Sequence, residues 1–350
     1  MLAAILFLPC DAQAISAKSA IVLDGITGRV LYEKNSDQKS LIASTTKIMT
    51  ALVICEQCNV LDRVRIPKEA VGIEGSSMYL QEGEVLTIQE LLYGMMLHSG
   101  NDAATALAIY CGGTQEGFVQ LMNDKARTLS MKNTRFGNPH GLDHPDNYST
   151  AADMAKLAAY AMKNPIFLQT VSTKQIKIGN RYLQNHNKLL WRVEGADGVK
   201  TGYTRAAGRI LVSSAEREGR RLVAVTINAP DDWNDHSVLL QNGFTSFAVK
   251  SIVNEGDCIG YIPVAGSQAH QVPLEAAGSF SYALSEGERV QILQQNASFV
   301  YAPVAAGQDA GFAYILVDGN IVGKIPMVFG ETIEQIVNEK KSFWQRLFGE

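Results

Sequence analysis

The sequence predicts an α/β (α+β) fold: one antiparallel sheet carrying a helical cluster, then a small all-β domain and an amphipathic tail helix. Three observations predict it. Strand-type runs lie at both ends of the region spanning residues 20–227, with helix-type apolar patterns between them. After Asn254 the texture changes to short β-like runs separated by Gly, Pro, Ala and Gln. Residues 331–350 mix aromatic and basic side chains on one helical pattern. With 350 residues, 46% of them hydrophobic, the chain can bury a sizeable core and is too long for one average domain.

Taken in order, Ala20-Ile21-Val22-Leu23-Asp24 reads as a strand, Gly25 to Gly28 as a turn, and Arg29 to Glu33 as the return strand. Ser44 to Ile54 runs into a strongly apolar helix. Leu86 to Ala108 is helical, interrupted at Leu97-His98-Ser99-Gly100-Asn101. Gly117 to Leu129 is another helix. Ser149 to Met162 is a further one, opened by Ser149-Thr150 with Asp153 in the capping-box position. Ile210 to Ala215 and Leu222 to Ile227 are β-type runs around a charged turn, and Val238 to Val253 returns to helix. Within the last part, Ala313 to Val317 and Ile321 to Ile325 read as strands. The expected units are 1–14, 15–253, 254–330 and 331–350.

Met1 to Pro9 is an apolar run too short to span a bilayer, followed by the small-x-small pattern Ala12-Gln13-Ala14. This reads as the remnant of a signal peptide without its basic start, so export is expected, with the mature chain beginning near Ile15. The tail pattern, with Lys340, Lys341, Phe343, Trp344 and Arg346, fits a helix lying on an anionic membrane surface. A net charge of -4 and a pI near 5.9 give no basic signature for a nucleic-acid partner. Cys55 and Cys58 form a Cys-x-x-Cys pair, but no second ligand pair stands at matching spacing, so no metal site is expected.

Three short motifs carry chemistry. In Ser44-Thr45-Thr46-Lys47 the spacing puts both side chains on one helix face. Serine needs a base within hydrogen-bond reach, and a lysine can be that base if burial or a neighbouring cation lowers its pKa. Alone, the pattern equally fits an N-cap serine beside a solvated lysine. Ser99-Gly100-Asn101 interrupts an apolar helix. Gly100 permits a tight loop, Ser99 could relay a proton and Asn101 could hold a substrate amide; an ordinary inter-helix turn reads the same way. In Lys200-Thr201-Gly202-Tyr203, Gly202 leaves room for a ligand along a strand edge. Lys200 and Thr201 could hold a carboxylate, and the Tyr203 amide could join that of Ser44 as an oxyanion hole. The alternative is an exposed edge strand.

All three motifs in this order resemble the penicillin-recognising serine enzymes. Flanking stretches narrow the resemblance to the low-molecular-mass D-alanyl-D-alanine carboxypeptidases of the penicillin-binding protein 5/6, or peptidase S11, type. They are Ala43 to Ala51, Asn138-Pro139-His140-Gly141-Leu142-Asp143, Tyr148 to Met154 and Asn185-His186-Asn187-Lys188-Leu189-Leu190. The resemblance covers essentially the whole mature chain. It implies a β-lactamase/transpeptidase-like fold and an enzyme that needs no cofactor. The implied substrate is a peptidoglycan stem peptide ending in D-Ala-D-Ala, and β-lactams are implied to acylate the same serine. It further implies Ser44 as nucleophile, Lys47 as base, Ser99 and Asn101 as the second catalytic element, and Lys200, Thr201, Gly202 and Tyr203 as substrate-binding residues. His140 matches a histidine near the site, with a structural role at a loop turn as the equal alternative. Tyr203 replaces a histidine found in some members. Asp231 to Asp235 replaces a stretch that supplies an arginine for the terminal carboxylate in some relatives, which leaves that task to Lys200 and Thr201, with Arg209 as a further candidate. The signal-like start and the amphipathic tail pattern give the expected location, the outer face of the cytoplasmic membrane, facing the wall. A transpeptidase or endopeptidase of the same family and an inactive wall-binding module are the alternatives. A class A β-lactamase is disfavoured because the Glu-x-x-Leu-Asn stretch is missing.

Overall fold

The structure, a computed structural model, describes residues 15–336. The signal-like segment 1–14 and residues 337–350 of the expected tail helix lie outside the described residues. The chain divides into two compact units, Met1–Ser246 and Phe247–Glu350.

In the first unit β1 (Ser19–Asp24), β2 (Val30–Lys34), β3 (Ala196–Thr204), β4 (Gly208–Arg217) and β5 (Arg220–Ile227) form one antiparallel sheet of order β2-β1-β5-β4-β3. Both ends of the segment thus build the sheet, as the strand-type runs predict. β1 is buried along its whole length, so its apolar run is continuous instead of alternating. Parity along each strand sets the face. Ile21, Leu23, Val212, Val223 and Val225 enter the core shared with the helical cluster. Ala20, Val22, Leu222 and Ala224 pack instead with Leu239 and Leu240 of α7 (Asp232–Ser246). The cluster consists of α1 (Lys47–Gln57), α2 (Ile88–Leu97), α3 (Asn101–Gly112), α4 (Gln115–Thr128), α5 (Ala151–Ala161) and α6 (Pro165–Ser172). α1 is buried on every side from Lys47 to Ile54, which makes it the central helix. Truncating one of its fully buried residues, such as Leu52, to alanine costs about 2–5 kcal/mol.

Several local expectations change. The helix read from Ser44 opens as a 3₁₀ turn over Ala43–Thr46 and becomes α-helical at Lys47. Thr150 caps α5 by accepting from the Asp153 amide, but Asp153 does not reach back; its carboxylate accepts from the Asn133 amide and the Thr134 hydroxyl. α7 stops at Ser246, and Ala248–Val253 is β6, not helix. The β-branched Val249, Ile252 and Val253 favour a strand once a partner is available, and β9 (Phe280–Leu284) supplies it.

The second unit is all-β. Besides β6 and β9 it contains β7 (Cys258–Ala265), β8 (Gln271–Ala276), β10 (Val290–Gln295), β11 (Val300–Tyr301), β12 (Asp309–Val317) and β13 (Asn320–Phe329), with sheet order β10-β12-β13-β8-β7-β11. Ile262, Val272, Leu274, Ile315 and Met327 fill its core. The two strands predicted at 313–325 belong to the β12–β13 hairpin, turned by Asp318-Gly319 with both residues at positive φ. Residues 331–336 are not helical. Ile333 exchanges two backbone hydrogen bonds with Val304 and buries its side chain, which holds this stretch extended. Among the described residues no helix is long and apolar enough to cross a membrane.

Candidate active site

The site is built where α1, α3 and β3 meet. Lys47 and Asn101 are the first residues of α1 and α3, and Ser44 lies in the 3₁₀ turn that leads into α1. Lys47 is fully buried, with Nζ 3.2 Å from Ser44 Oγ, 2.6 Å from Asn101 Oδ1 and 2.5 Å from the His140 carbonyl oxygen. Desolvation and the Lys200 ammonium hold its pKa well below the ordinary lysine value; Asp102 opposes them more weakly. A lysine so placed can give up its proton and then accept one from Ser44.

Asn101 is held in turn: its Nδ2 donates to the Glu74 carbonyl at 2.6 Å and its amide donates to the Ser76 carbonyl. Asp102 beside it is buried and accepts from the Met78 and Leu80 amides and the Ser77 hydroxyl. The segment 74–80 is therefore fastened to the N-terminus of α3, and Ser76 lines the cavity in front of Ser44. The break between α2 and α3 is real, but the left-handed residue is Ser99 (φ 65°), not Gly100 (φ -56°). A Cβ at Gly100 would instead meet Asp102 Oδ1 at 2.8 Å, so its small size serves packing.

β3 runs past the nucleophile. A Cβ at Gly202 would lie 3.3 Å from the Ser44 amide nitrogen and 3.2 Å from that of Thr45. The room that glycine leaves is taken by the Ser44 turn itself, which brings the strand backbone alongside the serine amide. Thr201, Gly202 and the exposed Tyr203 line the cavity, whereas Lys200 is buried beneath it, Nζ donating to the Thr201 carbonyl at 2.8 Å. Burial lowers the Lys200 pKa to about 7.

His140 meets Lys47 through its carbonyl, not its ring. Its Nδ1 accepts from the Leu142 amide, and burial with the Lys47 charge lowers the imidazole to about 4. The neighbouring Gly141 (φ 93°) presses on the nucleophile turn, where a Cβ would stand 2.0 Å from the Ala43 carbonyl oxygen.

The cavity encloses about 340 Å³ and brings Ser44, Ser99 and Thr201 together with Arg209. Arg209, on β4, donates to Asp232 at 2.7 Å and lies over the Trp233 ring. Its Nε is buried without a partner. The stretch after β5 that lacks an arginine therefore positions one from β4. Asp235 accepts from the Ser16 and Ala17 amides, and His236 bridges Ser213 and Thr226, fastening α7 to β4 and β5. Sequence reasoning missed Ser76, Asp102 and His186 as parts of the site; the Gly75-Ser76-Ser77 cluster and the Asp after Asn101 were the available signals. Asn185 and Asn187 in the Asn185–Leu190 stretch are buried and satisfied by backbone partners, which leaves His186 and Lys188 facing the cavity. Among the described residues no group of three or more His, Cys, Asp or Glu converges as a metal site.

Residues 9–231 match the sequence model of the D-alanyl-D-alanine carboxypeptidase family, and residues 247–335 that of the penicillin-binding protein 5 C-terminal domain. The chain is 32% identical to D-alanyl-D-alanine carboxypeptidase DacF of Bacillus subtilis, over 92% of this chain and 87% of that one. It is also 32% identical to DacC of Escherichia coli, over 93% and 86%. Among solved structures it is similar to penicillin-binding protein 5 of Haemophilus influenzae, with a TM-score of 0.79 and 30% identity over 92% of this chain and 98% of that one. The Streptomyces K15 DD-transpeptidase matches with a TM-score of 0.64 and 34% identity over 66% of this chain and 98% of that one. The motifs, the sheet built from both ends and the two matched regions agree: the chain belongs to the D-alanyl-D-alanine carboxypeptidase family.

Proposed function

We propose that the chain is a serine-type D-Ala-D-Ala carboxypeptidase that removes the terminal D-alanine from peptidoglycan stem peptides through a Ser44 acyl-enzyme. The observation that carries this reading is the buried Lys47, stripped of much of its basicity and 3.2 Å from Ser44 Oγ.

Neutral Lys47 takes the Ser44 proton as Oγ bonds to the carbonyl carbon of the penultimate D-alanine. The oxyanion accepts from the Ser44 and Tyr203 amides; one such donor is worth roughly 100- to 1,000-fold in rate. Collapse breaks the peptide C–N bond, and the leaving nitrogen takes a proton relayed from Lys47 through Ser99. Water then attacks the ester as Lys47 takes its proton; the bond from the acyl carbon to Ser44 Oγ breaks, Lys47 returns the proton to Oγ, and the shortened peptide leaves. Lys200, Thr201 and Arg209 hold the terminal carboxylate; Arg209 lines the cavity, as does Lys188. A β-lactam places its strained amide in the same position and acylates Ser44.

Incubation with diacetyl-L-Lys-D-Ala-D-Ala tests the reading: D-alanine is released by the native enzyme and not by Ser44→Ala. Absence of release by the native enzyme contradicts it. The likeness to the K15 DD-transpeptidase supports a second reading, acyl transfer to an amine. Adding glycine as acceptor distinguishes the two by whether a new peptide replaces the hydrolysis product. The apolar start with Ala12-Gln13-Ala14 supports export to the wall-facing side of the membrane, and the basic-aromatic residues 340–346 support membrane contact.

A further inference from the structure

The Cys-x-x-Cys pair of α1 takes no part in the chemistry at Ser44. Cys55 lies in the last turn of α1, and Cys58 is the residue that ends it, its amide donating to the Ile54 carbonyl at 3.0 Å before the backbone becomes extended. Cys111 occupies the last turn of α3. The two helices are joined at both ends. At their starts Lys47 Nζ donates to Asn101 Oδ1. At their finishes the thiols of Cys58 and Cys111 are hydrogen-bonded to each other. Cys55, Cys58 and Cys111 are free thiols, half-buried against the edge of the main core.

The backbone around the pair is fixed by other bonds. Tyr110 Oη donates to Asp62 Oδ2 at 3.1 Å, and the Val60 and Asp62 carbonyls accept from the Gln89 and Ile88 amides. A Cβ on Gly112 would stand 2.4 Å from the Phe118 amide nitrogen, so the end of α3 is seated closely on α4. Joining the two sulfurs therefore needs a small approach of two side chains and no rearrangement of the chain.

Cys55 is the competing partner for Cys58, and geometry disfavours it. Residues three apart on a helix hold their Cβ atoms about 5–6 Å apart, whereas a disulfide takes about 3.5–4.5 Å. Burial and the neighbouring Glu56 push the Cys55 thiol up to about 12, which leaves it little thiolate. The hydrogen bond from Cys58 acts the other way on Cys111 and holds it below the ordinary cysteine value, so Cys111 ionises first.

We propose that Cys58 and Cys111 form a disulfide that clamps the ends of α1 and α3, made by exchange with a small-molecule disulfide. The Cys111 thiolate attacks one sulfur of that molecule, which forms a mixed disulfide and releases one thiolate. Cys58, deprotonated in turn, attacks the Cys111 sulfur and releases the second. The two released thiolates take up the two protons the cysteines gave, so both cysteines are oxidised and the small disulfide is reduced to two thiols. The closed loop carries α2, the segment 74–80 and Ser99 to Asn101, so the link restricts the unfolded chain around the second catalytic motif. It stays clear of the reacting atoms, since α1 puts about 16 Å of helix between Lys47 and Cys58. The proposed export brings the pair to a compartment where such bonds persist.

The full chain is equilibrated with oxidised glutathione, quenched in acid, denatured, alkylated with N-ethylmaleimide and mapped by mass spectrometry without reduction. One peptide pair joined at Cys58 and Cys111 is expected, with Cys55 and Cys258 alkylated. The oxidised protein unfolds about 5–10 °C above the same protein reduced with dithiothreitol. That difference vanishes in Cys58→Ser and in Cys111→Ser and persists in Cys55→Ser; the comparison on native protein stands by itself if a variant fails to fold. Benzylpenicillin acylation well below the unfolding range stays within about twofold between the two redox forms, as expected of a link remote from Ser44. Free thiols at Cys58 and Cys111, glutathione adducts without an internal link, or a link from Cys55 to Cys58 overturn the proposal. An unfolding temperature that oxidation leaves unchanged overturns it as well, and so does an acylation rate that oxidation shifts beyond that range.

Discussion

Lys47 Nζ lies 2.6 Å from Asn101 Oδ1, so the residue that begins α1 is tied to the residue that begins α3. The first two sequence motifs are thereby one hydrogen-bonded unit, and Asn101 orients the proposed base. Replacing Asn101 with alanine takes away one of the three acceptors of Lys47 Nζ and the side-chain donor to the Glu74 carbonyl. Expected are a loss of stability of about 1–3 kcal/mol and a slowing of acylation by roughly 100-fold. Thermal unfolding and labelling with a fluorescent penicillin measure the two. Labelling at the native rate would show that Asn101 does not position the base.

The pH dependence of acylation has a definite sign. Lys47 must be neutral to act, so the rate rises as pH climbs through its lowered pKa. Hydrolysis of a peptide also needs charged Lys200 near the substrate carboxylate, and this falls away as pH rises through about 7. Removing Lys200 removes a positive charge that discourages protonation of Lys47, so the Lys47 pKa rises. The acid limb of the benzylpenicillin acylation profile is therefore expected at higher pH in Lys200→Gln than in the native enzyme. An acid limb that stays in place or moves down contradicts the coupling of the two lysines.

Gly141 supports the nucleophile turn by being absent as a side chain. Gly141→Ala would put a Cβ 2.0 Å from the Ala43 carbonyl oxygen, at a φ of 93°. The turn has to move, and a loss of about 3 kcal/mol or more is expected together with loss of acylation. Gly28→Ala is the control: it also has positive φ but open space around it, so it costs about 1 kcal/mol and leaves acylation intact. Denaturant unfolding of both variants decides, and similar costs for the two would remove the argument from close approach.

Arg209 is the expected reader of the terminal carboxylate. Native enzyme should discriminate strongly against a peptide amidated at its last D-alanine, by roughly 10- to 100-fold in kcat/KM. Arg209→Ala should lose most of that discrimination by slowing only the free-acid peptide. Undiminished discrimination would return the task to Lys200 and Thr201 alone.

Much of this was legible because it rests on local geometry. The Ser44–Lys47 spacing is one helical turn, the fully buried β1 reads as a continuous apolar run, and the break at residues 98–100 shows as polarity inside an apolar helix. What stayed hidden depends on distant partners. Nothing in Ser76 or Met78 announces that Asp102 will gather the amides around them. Nothing in Arg209 announces Asp232, 23 positions away. Val238 to Val253 carries one helix-like pattern, yet the fold divides it at Ser246 because a neighbouring strand pairs with the second half. Ile333 is drawn out of a helix-compatible tail by backbone pairing with Val304. At Ser99 and Gly100 the local rule pointed to the wrong residue, since the positive φ falls on the serine.

The central claim is that Ser44 is the nucleophile of an acyl-enzyme. It is tested most directly by mass spectrometry of the protein after exposure to benzylpenicillin, with peptide mapping of the adduct. The account predicts one added penicilloyl group, located on Ser44 and missing in Ser44→Ala. An adduct on another residue, or an adduct that persists in Ser44→Ala, would contradict it.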